Sequence, residues 1–348
     1  MSRTIHYLPG DARRVVLLLN QTAGSGTNGR RVDELRQRLT AARFQVETHT
    51  DLTAFAESVT DPRQDPVRAV IAAGGDGTVS AVVNRLPPNV PIATLPLGTE
   101  NLLAKYLPFS FAPDELTETI LHGATISVDA GRANQRLFLL MVGCGFDADV
   151  VHRLHASRRG HIRHGTYVKP ILASIRKYGY PELRVSYAED SMSGGGGAAA
   201  SERACQRTAR WAFAVNIPQY AGGLRFAPTA EGTDGWLDLC TFRRGSLWHG
   251  LRYLAGIIAG RHRDFEDFSH VRARSVRIEA DQPVPYQLDG DPGGMLPVDI
   301  SVEPARVRLV VSETWAQQHG CTHLVDDRHT TGAATESACE LQNKPEKS

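Results

Sequence analysis

The chain has 348 residues, 41% of them hydrophobic and 22% charged, with a formal net charge of +1. This composition excludes a disordered or fibrous polymer, and the length exceeds one typical hydrophobic core, so two domains are expected. The near-neutral balance gives no global attraction to polyanions: no nucleic-acid partner is expected, and any binding to an anionic membrane has to come from a local patch.

Arg14 to Asn20 reads as a short, fully buried strand of the kind found in parallel sheets, followed by the polar, glycine-containing loop Gln21 to Gly29. Val32, Leu35 and Leu39 recur at helical spacing with charges between them. Phe44 to Thr48 predicts a second strand, Leu52 to Val59 a second helix and Val67 to Ala73 a third strand. That strand runs into Gly74-Gly75-Asp76-Gly77-Thr78, and a helix from Val79 to Arg85 follows. Pro91 to Leu95 is a fourth strand, ending at Pro96-Leu97-Gly98-Thr99-Glu100-Asn101. Strands alternating with helices through short connections predict an α/β layer that binds its ligand at the carboxyl ends of the strands.

Near Thr125 the pattern changes. Ile126–Asp129, Leu137–Val142, Leu183–Tyr187, Trp211–Asn216, Leu237–Phe242, Val276–Glu279 and Val307–Val311 read as strands separated by turns, several of them alternating. They predict a second, mainly antiparallel β domain. The Ser191–Ala200 segment reads as a flexible loop between two of these strands. The face formed by Leu247, Leu251, Leu254 and Ile258, with Trp248 beside it, predicts a helix packed into the domain core, with a membrane anchor as the second reading. Beyond about Trp315 the chain turns polar and loses periodicity, which predicts a tail without fixed structure. The expected divisions are therefore 1–124, 125–312 and 313–348.

Three loops, Asn20 to Gly26, Gly74 to Thr78 and Leu97 to Asn101, leave the carboxyl ends of predicted strands and share one edge if the sheet is parallel. Glycines let a ligand approach the main chain, and the unpaired N–H groups that open a helix attract anions, so a phosphate is the expected guest. The P-loop signature does not occur here. The five cysteines, Cys144, Cys205, Cys240, Cys321 and Cys339, form no Cys-x-x-Cys pair and read as idle thiols of a reducing compartment. The first residues lack the apolar core of a secretion signal, and no uncharged apolar run approaches the roughly 18 residues needed to span a bilayer. A cytoplasmic protein is expected. His152 to His164, with Arg153, Arg158, Arg159 and Arg163, fits either a basic surface for anionic headgroups or a solvated helix and loop.

Taken together, Asn20-Gln21-Thr22-Ala23-Gly24, Gly74 to Val79, Pro96 to Asn101, Gly143 to Val150, Ala227-Pro228 with Asp234-Gly235, and Leu288-Asp289-Gly290-Asp291 resemble the diacylglycerol kinase catalytic-domain family. The bacterial soluble lipid kinases and the sphingosine and ceramide kinases belong to that family. The resemblance runs from about Val15 to Val311, although NAD kinases and 6-phosphofructokinases share the Gly-Gly-Asp-Gly-Thr turn. It implies an N-terminal NAD-kinase-like α/β nucleotide-binding domain, a C-terminal β-sandwich, and ATP-dependent phosphorylation of a lipid hydroxyl, with the lipid entering between the domains. Contact with the inner membrane surface follows from such a substrate; oligomeric state stays open between monomer and homodimer.

By the same resemblance, Asn20, Thr50, Gly74, Gly75, Asp76, Gly77, Thr78 and Thr99 fall on nucleotide-binding positions. Asp289 falls on the catalytic aspartate of an Asp-Gly-Glu motif whose glutamate is replaced here by Asp291, and Asp76 assists in placing metal or nucleotide. Glu231, Asp234 and the Trp236 carbonyl fall on a structural magnesium site, with Glu231 where aspartate is usual. As bare sequence, Thr233-Asp234-Gly235 and Asp289-Gly290 serve equally as turns between strands. A NAD kinase-like enzyme and a catalytically silent lipid-binding protein are the competing readings. The first shares the glycine turn, and the second draws on Asp291.

Overall fold

The computed structural model describes residues 4–21, 27–107, 112–156, 178–189, 203–220, 223–318 and 323–325. The N-terminal half is built on β2 (Arg14–Leu19), β3 (Gln45–His49), β4 (Val67–Gly74) and β5 (Pro91–Pro96), paired in parallel in the spatial order β3, β2, β4, β5. Their side chains alternate between two apolar layers. Val15, Leu17, Ala69, Ile71 and Leu95 meet Leu35 and Leu39 of α1 (Thr27–Ala41) and Leu116 and Ile120 of α5 (Pro113–His122) on one face. Val16, Leu18, Val70 and Ala72 meet Phe55 of α2 (Leu52–Thr60), Val79, Val82 and Val83 of α3 (Asp76–Arg85) and Leu102 and Leu103 of α4 (Leu102–Tyr106) on the other. A strand covered on both faces is apolar throughout, which is why these strands read as continuous hydrophobic runs.

The sheet does not end at β5. The last part of β16 (Val298–Val311) lies parallel to β5, and β6 (Ala124–Ala133) lies antiparallel to β16. β1 (Thr4–Tyr7) follows beyond β6, antiparallel to it. The expected boundary after residue 124 thus falls at the start of β6, a strand whose Ile126, Val128 and Ala130 belong to the N-terminal core while Ala133 belongs to the C-terminal one. Past residue 312, α8 (Glu313–Gln318) buries Trp315 and Ala316 against the N-terminal core, and β17 (His323–Val325) pairs in parallel with β1. One buried indole anchors this short helix in a stretch that lacks the repeat a periodicity reading needs; residues 326–348 lie outside the described residues.

The C-terminal half is antiparallel, as its alternation predicts. β10 (Arg203–Ala209), β9 (Leu183–Glu189), β13 (Phe268–Glu279), β12 (Leu237–Phe242), β11 (Trp211–Val215) and β8 (Met141–Gly145) succeed one another in space. The hairpin β14 (Pro285–Leu288) and β15 (Asp291–Met295) extends the sheet from β8. Ala212 and Ala214 of β11 face one core. Trp211, Phe213 and Val215 face another, closed by Phe146 and Val150 of α6 (Phe146–Ala156) and by Tyr253 and Ile257 of α7 (Leu247–Ile258).

Two expectations are corrected. Leu137–Val142 is not one strand: β7 (Arg136–Phe138) ends at Phe138, Leu139 and Leu140 turn, and β8 begins at Met141. The predicted core face of α7 is mostly solvent-exposed, because the glycines Gly250 and Gly256, not the leucines, sit at its closest packing points. Ser191–Ala200 lies outside the described residues.

Candidate active site

The glycine turn forms where β4 delivers its backbone to α3. The helix starts at Asp76 rather than Val79, so Gly75 is its N-cap and Asp76 and Gly77 lie in its first turn. The Thr78 N–H is turned back onto the Gly75 carbonyl (2.9 Å), which removes it from the expected anion cradle and leaves the amides ahead of it. Thr78 contributes its hydroxyl instead, which accepts a hydrogen bond from Asn20 Nδ2 (3.2 Å).

Gly98 explains how the next loop joins. Its Cα crosses Gly75 so closely that a Cβ on Gly98 would stand 2.6 Å from the Gly75 Cα. Asn101, at φ +50°, folds its side chain back onto Gly98, accepting from its N–H (3.1 Å) and donating to its carbonyl (2.8 Å). Thr99 projects at the exposed tip between them. Asp76 reaches across to cap α4, accepting from the Leu103 N–H (3.1 Å); burial raises its pKa against the pull of these amides.

Asn20, Thr50, Gly77 and Thr78, together with Leu18, Leu19, Gln21, Leu52 and Ala81, line one cavity of about 310 Å³ at the carboxyl ends of β2, β3 and β4. Three stretches far apart in sequence, at Asn20, Thr50 and Gly77-Thr78, are thereby brought to one wall. Thr22, Ala23 and Gly24 lie outside the described residues.

Asp289 arrives from the other domain. It sits in the β14–β15 turn with φ +52°, a left-handed conformation that aspartate tolerates better than most residues. Its Oδ2 accepts from the Leu139 N–H (2.7 Å), and its Oδ1 from the N–H groups of Leu140 (2.8 Å) and Met141 (3.0 Å). The break between β7 and β8 therefore supplies the amides that hold this carboxylate. The glycine turn is tied to the same place through α3, since Asn84 accepts from the Leu137 N–H (2.8 Å) and donates to the Leu137 carbonyl (3.0 Å). Asp291 closes the gap: its Oδ2 lies 3.9 Å from where a Cβ on Gly77 would be.

Burial pushes the Asp289 carboxyl up to about 6; the three amides oppose that rise and the negative charge of Asp76 adds to it. A carboxylate poised there has the basicity a proton acceptor needs near neutral pH.

A second carboxylate went unread in the sequence. Asp147, on the first turn of α6, accepts from the Tyr220 hydroxyl (3.0 Å) and from Gln287 Nε2 (2.9 Å), and burial pushes it up to about 6. Gln287 turns its Oε1 to the Gly290 N–H (2.8 Å), so Asp147 supports the Asp289 turn through one side chain. The Phe146-Asp147-Ala148 run carried no spacing that pointed to this, because its partners are 73 and 140 residues away.

Glu231, Asp234 and Trp236 share one turn, in which the Glu231 carbonyl accepts from the Thr233 N–H (2.7 Å) and Asp234 Oδ1 from the Trp236 N–H (3.0 Å). Asp234 Oδ2 is paired with Arg272, whose guanidinium stands where a cation's charge would be needed. As placed, these residues do not fit a magnesium ion. On α6, Arg153 pairs with Asp149 (2.6 Å), while Arg158, Arg159 and Arg163 lie outside the described residues. Cys144 and Cys240 are buried and free, their thiols pushed up by burial; Cys205 is partly exposed.

Comparison with known proteins bears on this geometry. The family model for the diacylglycerol kinase catalytic domain matches residues 14–133. The model for the YegS C-terminal NAD kinase beta sandwich-like domain matches residues 140–311. A diacylglycerol kinase of Bacillus subtilis (strain 168) is 23% identical over 320 residues, covering 88% of this chain and 99% of that protein. One of Mycobacterium tuberculosis (strain ATCC 25618 / H37Rv) is 27% identical over 250 residues, covering 70% of this chain and 76% of that protein. The crystal structure of a diacylglycerol kinase from Bacillus anthracis str. Sterne superposes with a TM-score of 0.61 at 21% identity, over 87% of this chain and 99% of that one, and carries the likeness of fold.

Proposed function

Since the chain belongs to the diacylglycerol kinase catalytic-domain family, we propose that it transfers the γ-phosphoryl group of ATP to a hydroxyl of diacylglycerol or a closely similar lipid alcohol. The observation that carries the reading is the approach of the Asp289–Asp291 turn to the glycine turn, with Asp291 3.9 Å from the Gly77 Cβ position. ATP binds along the cavity of Asn20, Thr50, Gly77 and Thr78, its phosphates on the amides that open α3, where the helix dipole favours negative charge. Magnesium travels with ATP; Asp76 and Asp291, hard oxygen donors beside the turn, are the groups that would meet it.

Asp289 Oδ1 holds two amides and Oδ2 one, which leaves Oδ2 the acceptor capacity for the lipid hydroxyl. As the hydroxyl oxygen bonds to the γ-phosphorus and the bridging bond to ADP breaks, the hydroxyl proton passes to Asp289. The shorter side chain of Asp291, against the family's glutamate, is offset by its proximity to the turn, which weighs against a catalytically silent protein.

Turnover of ATP with a panel of lipid alcohols and NAD tests the proposal. Phosphorylated lipid is the expected product, and the Asp289→Asn variant should lose roughly two to four orders of magnitude in rate while binding ATP almost as the wild type does. Phosphorylated NAD, or lipid binding without product, would replace this reading. Near-normal rates in Asp289→Asn would remove Asp289 from the chemistry.

A further inference from the structure

Helix α7 packs inward through two glycines, a tyrosine and one isoleucine, and leaves most of its large apolar side chains outward. Gly250, Tyr253, Gly256 and Ile257 are buried. A Cβ on Gly250 would meet the Tyr180 hydroxyl at 2.8 Å, and one on Gly256 the Phe265 ring at 2.5 Å, so the helix is seated as closely as glycine allows. Leu247, Trp248, Leu251 and Ile258 point to solvent, 39, 77, 40 and 69% exposed. At 3.6 residues per turn these four lie within about 100° of arc. The only other exposed large hydrophobic among the described residues is Met295, so the apolar surface is concentrated on one element rather than scattered.

Exposed arginines surround this ridge. Arg243 and Arg244 precede the helix, Arg252 flanks it, and Arg261 and Arg263 follow it. The acids in the same stretch are Asp264, paired with Arg261 (3.9 Å), exposed Glu266, and Asp267, which is buried against Tyr253 and takes an ion pair from Arg252 (3.3 Å). Positive charge is in excess, and Arg243 and Arg244 stand just ahead of the helix start. Among the described residues no helix is long and apolar enough to cross a membrane.

We propose that α7 is the surface on which this chain docks to an anionic lipid bilayer. The helix lies in the interface with Trp248, Leu251 and Ile258 at the acyl boundary and the arginines on lipid phosphates. The proposal rests on the reading of the substrate as a lipid. A second copy of the chain fits less well, since a two-fold contact through this ridge would set the arginine rims against each other. The inner face of α7 also leads to the active site. Tyr253 packs on Trp211 and Phe242 (ring centroids 5.5 and 4.4 Å), and Trp211 stacks on Phe146 (4.9 Å), the residue beside Asp147. The same aromatic cluster contains Met141, whose N–H holds Asp289.

Sedimentation of the full-length protein with vesicles of equimolar phosphatidylglycerol and phosphatidylcholine tests the docking surface. Wild type is expected to pellet with these vesicles, less so at high salt and much less with phosphatidylcholine alone. Leu251→Glu and the Trp248→Ala/Ile258→Ala double variant change only exposed side chains, and each should bind vesicles about tenfold more weakly or worse. Their melting temperature and their activity on detergent-dispersed diacylglycerol should match the wild type. Vesicle binding equal to wild type would overturn the proposal. So would unchanged vesicle binding accompanied by a fall from dimer to monomer in light scattering, which would assign the ridge to a second copy. Failure of the wild type to phosphorylate detergent-dispersed lipid would instead count against the kinase reading, and the vesicle result would remain readable by itself.

Discussion

A carboxylate that accepts three amide hydrogen bonds ordinarily titrates low, and Asp289 does not, because enclosure and the neighbouring charge of Asp76 work against its amides. Asp147 has a similar value with a different cause: burial, opposed only by Tyr220 and Gln287. The two can be separated experimentally. If Asp289 accepts the proton, kcat/KM rises with pH through about 6. Asp147→Asn should keep that limb while lowering kcat through a looser Gly290 turn; loss of the limb in this variant would transfer it to Asp147. Stability separates them further. The folded-state pKa of Asp147 lies above its ordinary 3.8, so its contribution is full below that value and is lost as pH rises through about 6. Asp147→Asn, which cannot ionise, should flatten the fall in melting temperature over that interval, and an unchanged slope would show that Asp147 is not the group titrating. At this scale the sequence exposed Asp76 and Asp289 through their motifs. It hid Asp147 and the capping role of Asp76, because side-chain bonds that span 73 or 27 residues leave no local pattern.

Turns and strands, rather than single side chains, set the spacing of the site. The glycine turn and the Gly98 loop touch backbone to backbone, and this contact fixes where the α3 amides point. Gly98→Ala puts a methyl group 2.6 Å from the Gly75 Cα, a neighbour that cannot rotate away. The expected cost is about 1–3 kcal/mol of stability together with weakened ATP binding. Gly10→Ala, with nothing within 4 Å, serves as the neutral control. Thermal denaturation and ATP titration of both variants check this; equal behaviour of the two would mean the crossing has no consequence. Both loops were legible as punctuation between apolar runs. The break at Leu139–Leu140 was not, because an apolar turn inside an apolar run has no compositional signature. Only the docking of Asp289 reveals why the chain stops pairing there. Helix α7 misled for the converse reason: periodicity locates an apolar face without saying which side of the helix the glycines leave free to pack.

At the scale of the whole molecule, the geometry of the candidate site depends on two domains that are joined through shared strands rather than by a flexible linker. β16 contributes Val298 and Ile300 to the C-terminal core and Val307, Leu309 and Val311 to the N-terminal one, with a register shift between Glu303 and Val307. Buried Asp129 pins that irregularity, accepting from the Ala305 N–H (2.7 Å) and from the Gly235 N–H (2.7 Å) of the neighbouring turn. The change from alternating helices to successive strands was visible in sequence, and so was the two-part architecture. The return of β16 to the first sheet was not, because Val307–Val311 reads as a strand of either domain. A fold laced in this way should unfold as one unit. Leu309→Ala removes a fully buried side chain where β16 packs in the N-terminal core, and it should lower a single calorimetric transition by about 2–5 kcal/mol in stability. Signals from the C-terminal aromatic cluster should move with it, although Leu309 lies in the other core. A variant that split into two transitions, with the C-terminal one unmoved, would show that the halves fold independently and that the strand does not hold Asp289 against the glycine turn.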